Sequence, residues 1–185
     1  MHDEDPIKPW ATVAEGAVED HFVLGLQRIE RRSPRTNKVR EFVILRASPW
    51  VNVIAITTDG KVVFVRQYRQ AAELTTLEVP GGMVDPGEDP GEAAARELLE
   101  ETGYGGGSPR SLGWVHSNPA ILDNRCYTYL IEGVDPVSEP DPDEGEDLQV
   151  VLLSLEEVKQ HLREGKITHS LVVAAFLHYF LERGL

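Results

Sequence analysis

The chain has 185 residues, 41% hydrophobic and 26% charged, which suits one globular domain with or without a short arm and is too apolar for a disordered chain. Its 18 Lys and Arg against 31 Asp and Glu leave a net charge of −13. That balance argues against nucleic-acid binding and against an anionic membrane surface, while a phosphate substrate stays open wherever a divalent cation sits between the negative partners. The single cysteine, Cys126, excludes an internal disulfide and a multi-Cys zinc site, and no run of roughly 18 apolar residues is present to cross a membrane.

The first residues, MHDEDPIKPW, lack the basic and then apolar pattern of a secretory signal, so a cytoplasmic protein is expected. Residues 1 to about 18 read as a tail or arm. Alternation of apolar and polar residues from Phe22 to Ile29 and again from Val39 to Leu45, across the polar turn RRSPRTNK, predicts a hairpin of half-buried strands. VNVIAIT (51–57) and KVVFVRQY (61–68) flank Asp59-Gly60 and predict a tight hairpin. A short strand at 76–79 leads into a loop rich in Pro and Gly through Gly91. A helix follows: Asp89 as its cap, Pro90 in its first position, Glu92 placed for a capping box, and Gly103 as its stop. Further strands are expected near 112–116, 125–132 and 148–153, with an acidic, proline-broken stretch from Glu139 to Asp147. Ser154 caps a helix to about Glu164, and a last helix, 170–183, is apolar nearly all round, as suits packing into a core or a partner. This order predicts an α/β (α+β) chain with a mixed sheet flanked by helices.

The charges of the helix after residue 90 work against its stability. Glu97, Glu100 and Glu101 crowd one edge at i,i+3 and i,i+4 spacing, with only Arg96 close by. They also sit at the end where the helix dipole is already negative. A hard divalent cation, Mg²⁺ or Mn²⁺, makes the arrangement favourable, because it selects carboxylate oxygens and retains sites for water and phosphate. Gly81 and Gly82 let the backbone approach such a ligand, with a carbonyl as a further oxygen donor. The alternative is a solvated acidic helix face.

The segment reads Gly82, five residues, Glu88, seven residues, Arg96-Glu97-Leu98, one residue, Glu100-Glu101, one residue, Gly103, Tyr104. It resembles the Nudix box, G-x5-E-x7-R-E-U-x-E-E-x-G-U, at every fixed position. Tyr104 stands where the last bulky aliphatic is usual. VRQYRQ (65–70), LEVPGG (77–82, with Gly81 in place of the usual Ala), Pro119 sixteen residues after Gly103, and the acidic tail with two closing helices resemble the ADP-ribose pyrophosphatase branch. The resemblance implies a Nudix fold, mixed β-sheets sandwiched by helices. Residues 1–46 would form an N-terminal arm and β-hairpin serving dimerisation, and 47–185 the Nudix domain.

The same resemblance implies metal ligation by Glu97, Glu101, Glu100 and the Gly81 carbonyl, with Arg96 orienting the box carboxylates and Glu88 supporting the loop. Of the acidic stretch, Glu144 and Glu146 would serve, either one as base and the other as late metal ligand. Arg69, Glu78, Arg66 and Pro119 would contact substrate. The implied reaction is Mg²⁺-dependent hydrolysis of a small nucleotide-sugar, foremost ADP-ribose to AMP and ribose 5-phosphate, by a homodimer. GDP-mannose or another nucleotide-sugar is the alternative, and a non-catalytic nucleotide sensor ranks lower. An RNA-end pyrophosphatase would want a basic groove, which the charge of −13 disfavours. His116, His169 and His178 show no metal-binding spacing and receive no role.

Overall fold

The computed structural model describes residues 7–142, 145 and 147–185, in two compact units: one reaching to Ala47 together with His116–Asn124, the other Ser48–Val115 together with Arg125–Leu185.

In the first unit, β1 (Ala11–Asp20), β2 (Gly25–Arg32) and β3 (Val39–Arg46) form an antiparallel meander. Asn37, at φ 56°, turns the β2–β3 connection, and its N–H donates to the Ser33 carbonyl at 2.9 Å. Residues 11–20 thus form a strand where composition suggested an arm. Every residue of β1 is exposed and its register against β2 slips twice, between Thr12 and Ala14 and between Glu15 and Val18, so no buried face writes an alternating pattern into the sequence. The segment 116–124 is tied to β3: Leu45 N–H donates to the Ile121 carbonyl at 2.7 Å, and Arg46 pairs with Asp123 at 2.7 Å.

The second unit holds β4 (Trp50–Thr57), β5 (Lys61–Arg69), β6 (Leu74–Glu78), α1 (Pro90–Thr102), β7 (Tyr104–Gly105), β8 (Arg110–His116), β9 (Arg125–Pro136), β10 (Leu148–Ser154), α2 (Leu155–Arg163) and α3 (Ser170–Arg183). Its sheet runs β10-β5-β4-β9-β7, with β6 beside β5 and β8 beside β9; β4 and β9 are parallel, the remaining registered pairs antiparallel. The expected mixed sheet is therefore present. Strand β4 shows how its two faces are covered. Val51, Val53 and Ala55 pack with Ala93, Ala94 and Leu98 of α1, whereas Ile54 packs with Val172, Ala175 and Phe176 of α3. Phe176 stacks on Phe64 of β5 with ring centroids 5.7 Å apart. A run apolar at nearly every position is what a strand buried on both faces requires.

Strands β4 and β5 pair directly only at Ile56 and Val62. Beyond that point β6 lies along β5, and its continuation is bonded to β4: Val53 N–H to the Pro80 carbonyl at 2.8 Å, Val51 N–H to the Gly82 carbonyl at 2.9 Å. The glycine loop is thereby laid against the strand that forms the floor of α1. Helix α1 starts as expected, with the Asp89 carboxylate accepting from Gly91 N–H at 2.8 Å, and ends at Gly103, φ 72°. Among the described residues Glu92 does not close the reciprocal half of a capping box; Glu157 does so for α2 with Ser154.

Candidate active site

Helix α1 aims Glu97 and Glu101 back at the loop that precedes it, and Glu100 joins them through Arg96. Glu101 is only 4% exposed, and its Oε2 accepts from Gly81 N–H at 3.1 Å. The Glu97 carboxylate lies so close to Gly82 that a Cβ there would come within 2.5 Å of it. A Cβ at Gly81 would come within 2.1 Å of the Val51 carbonyl oxygen. Backbone contact therefore demands glycine at Gly81, whereas at Gly82 a side chain would displace the Glu97 carboxylate.

Arg96 is the hub. Its Nε and Nη2 reach the two Glu88 oxygens at 2.9 and 3.0 Å, and Nη1 reaches Glu97 at 2.9 Å and Glu100 at 3.0 Å. Nη2 also donates to the Met83 carbonyl at 3.0 Å. One planar guanidinium thus fixes two helix carboxylates, the upstream acid and the loop backbone, a task a lysine's point charge cannot perform. The Glu88 hydrogen bonds, foremost, raise the Arg96 pKa further, and the Arg96 hydrogen bonds hold the Glu88 carboxyl below its ordinary value. Glu88 also accepts from Asp85 N–H at 3.0 Å, so it braces the loop.

Among the described residues no three His, Cys, Asp or Glu side chains already converge as they would on a bound metal ion. The donor set nevertheless fits a hard cation. Glu97, Glu100 and Glu101 offer oxygens only, Gly82 is the cradle that a Cβ would fill beside Glu97, and the Gly81 carbonyl has no hydrogen-bond partner among the described residues.

A second polar cluster lies at the end of β6. Glu78, 4% exposed, forms a two-point pair with Arg69 at 2.9 and 2.7 Å and lies 2.5 Å from the Thr76 hydroxyl. Burial pushes its carboxyl up, but the Arg69 and Thr76 hydrogen bonds outweigh burial and hold it below the ordinary value. His169 Nε2 stands 3.9 Å from Glu78 Oε2. Arg66 is exposed on β5. Pro119 lies in the turn after β8, within the first unit. Glu144 and Glu146 lie outside the described residues.

The structure thus brings Glu88, Arg96, Glu97, Glu100, Glu101 and Gly81 together, and joins Arg69 to Glu78. Sequence reasoning gave no role to Thr76, to His169 or to Asn52 of β4. Asn52 carried a signal all the same, as the one polar residue in the run Val51–Ala55.

Comparison with known proteins agrees with this geometry. The NUDIX domain model matches residues 48–176. The chain is 34% identical over 166 residues to a methanol dehydrogenase activator of Bacillus methanolicus, covering 88% of this chain and 86% of that one. It is 29% identical over 136 residues to an ADP-ribose pyrophosphatase of Bacillus subtilis, covering 73% and 74% respectively. A crystal structure of an ADP compounds hydrolase superposes with a TM-score of 0.84 over 98% of this chain and 99% of that one, at 20% identity, a likeness of fold. With the box residues gathered beside the glycine loop and the family model running from just before β4 into α3, the chain belongs to the NUDIX domain family.

Proposed function

We propose that this Nudix hydrolase cleaves the pyrophosphate of a nucleoside diphosphate linked to a sugar, with ADP-ribose as the leading substrate and AMP and ribose 5-phosphate as products. The observation that carries the reading is that Glu97 and Glu101 lie against a glycine loop, with Glu100 tied to them through Arg96, and that the Gly81 carbonyl of this loop is free of partners among the described residues. Several relatives bear the name ADP-ribose pyrophosphatase, which supports the choice of substrate.

Nudix hydrolases generally use divalent cations; here Mg²⁺, with Mn²⁺ as the alternative, would be held by Glu97, Glu101, Glu100 and the Gly81 carbonyl. Bound there, it supplies neutralisation of the diphosphate and a lowered pKa for a water. The chain's own residues do the rest. Arg96 keeps Glu97 and Glu100 in register with the loop, and Gly81 N–H fixes the rotamer of Glu101. Glu144 or Glu146 accepts the proton of the attacking water, the other standing by as a late ligand. Attack on one phosphorus, in line, expels the other phosphate. Arg66 offers its guanidinium to phosphate oxygens, and the Arg69–Glu78 pair lines the nucleotide side. Pro119 is kept as a substrate contact on resemblance alone, and Pro119→Ala with a changed KM tests it.

The experiment is product analysis with Mg²⁺ across ADP-ribose, GDP-mannose, UDP-glucose, NADH and diadenosine polyphosphates. AMP and ribose 5-phosphate from ADP-ribose support the reading. GDP-mannose cleaved in preference moves it to the other sugar-nucleotides, and turnover of none sinks it. A second reading is favoured by the methanol dehydrogenase activator relative: the protein stimulates a dehydrogenase, which a rate increase on its addition to a methanol dehydrogenase assay would reveal.

We also propose a cytoplasmic homodimer with residues 1–46 as the dimerisation arm and 47–185 as the hydrolase domain. The exposed Val13, Val18, Phe42 and Val43 of the first unit support this. Among the described residues no helix is long and apolar enough to cross a membrane. Sedimentation of the full chain and of Phe42→Glu distinguishes dimer from monomer.

A further inference from the structure

Asn52 interrupts an apolar strand. Its neighbours Val51 and Val53 face α1, and Ile54, two positions on from Asn52, belongs to the opposite face, against α3. A valine at 52 would suit a buried strand better than asparagine does. Asn52 is 8% exposed, and its Nδ2 is buried with no hydrogen-bond partner among the described residues. Buried donors are nearly always paired, and one left unpaired weakens the fold that contains it.

The position of this donor gives it meaning. Because Val51 and Val53 bond the carbonyls of Gly82 and Pro80, Asn52 sits opposite Gly81 in that short antiparallel pairing. The two backbones touch: a Cβ at Gly81 would come within 3.1 Å of the Asn52 Cα. Gly81 in turn donates to Glu101. A single residue therefore separates the Asn52 backbone from the acidic row, and that residue carries the free carbonyl; the amide itself leaves the strand on the face shared with Ile54.

We propose that Asn52 is a substrate-reading residue, its side-chain amide donating a hydrogen bond to an acceptor oxygen, phosphate or ribose, of the bound nucleoside diphosphate. This rests on the pyrophosphatase reading above. The bond replaces a partner that the protein does not supply, so the residue weakens the ligand-free fold and strengthens the complex. Asn52 lies outside the box, which begins at Gly82, and this role deepens substrate recognition without entering the proton or metal chemistry.

Asn52→Val and Asn52→Thr test it, since the two replacements share a shape and differ by one hydroxyl donor. Without ligand, Asn52→Val is expected to melt at the same temperature as the parent or higher. Its KM for ADP-ribose should rise about tenfold or more with kcat little changed, the mark of binding lost equally from ground and transition states. Asn52→Thr should recover part of the loss. Calorimetry with AMP and with adenosine identifies the oxygen: weakened AMP binding alone assigns phosphate, weakened binding of both assigns ribose. A lowered melting temperature in Asn52→Val overturns the proposal, because the amide would then be supporting the fold. So do unchanged KM and AMP affinity. A parent protein that turns over no nucleotide sinks the pyrophosphatase reading itself, whereas an active parent with an indifferent Asn52→Val sinks only this inference.

Discussion

Helix α2 begins at the reciprocal Ser154–Glu157 cap, carries Glu156 and Glu157 in its first turn and His161 and Arg163 in its last, so its charges follow the dipole. Helix α1 begins at a single bond from Gly91 N–H to Asp89, has no basic residue in its last turn, and places Glu97, Glu100 and Glu101 toward the negative end. Both are amphipathic and both pack on one sheet. Electrostatics arranged for stability produces α2; α1 departs from that arrangement where its carboxylates meet the glycine loop, and Arg96 and the Gly81 N–H offset the departure. Charges that oppose their own helix mark the place where the chain is built to meet something outside itself.

That contrast can be broken from either helix. Glu101→Gln retains an oxygen for Gly81 N–H but loses the carboxylate, so kcat should fall roughly 10²–10⁴-fold, the scale for losing a group that stabilises transition-state charge or moves a proton. Its melting temperature should stay close to the parent's; near-parent turnover in a folded Glu101→Gln would remove α1 from the chemistry. Arg96→Lys keeps a charge and loses the fork that spans Glu88, Glu97, Glu100 and Met83. We expect it to lower both rate and stability, the latter by about 1–3 kcal/mol, read by urea titration. If only the rate moves, the hub serves alignment and not folding.

On the other helix, Ser154→Ala should cost about 1 kcal/mol of stability through the lost cap and leave kcat and KM untouched. A kinetic effect there would mean that α2 is not the purely structural member of the pair. The smallest expected effect concerns Glu78. Its folded pKa lies below the ordinary 4.5, so the Arg69–Glu78 pair contributes stability above that pH and loses it as pH falls through the folded value. The gap in melting temperature between the parent and Glu78→Gln should be widest near neutrality and close on acidification below 4.5. A gap independent of pH would show that the loss comes from packing and not from the charge.

Some of this was legible because its causes are local. Asp89, Pro90 and Gly103 bound α1 through caps and a positive φ that involve only near neighbours, and the i,i+3 and i,i+4 spacing of Glu97, Glu100 and Glu101 follows from helix geometry. The hairpin at Asp59-Gly60 and the cap at Ser154 are equally local. Strand β1 was hidden because its residues are exposed on both faces and slip register, leaving no period to read. That Arg69 reaches Glu78 was not legible either: in register Arg69 lies opposite Leu74 and Glu78 opposite Val65, and the two meet only because their side chains reach along the strand pair.

The linear chain by itself determined the acidic helix, its boundaries, the glycines before it and the membership of a family, because each depends on fixed spacing over 23 residues. Tertiary structure alone decided that Arg96 reaches the Met83 carbonyl, that Gly81 has no room for a Cβ against Val51, and that Asn52 comes to lie unpaired beside the loop. These contacts join segments about 13 to 30 positions apart, where periodicity carries no signal and the outcome rests on which strands hydrogen-bond and how closely two backbones pack.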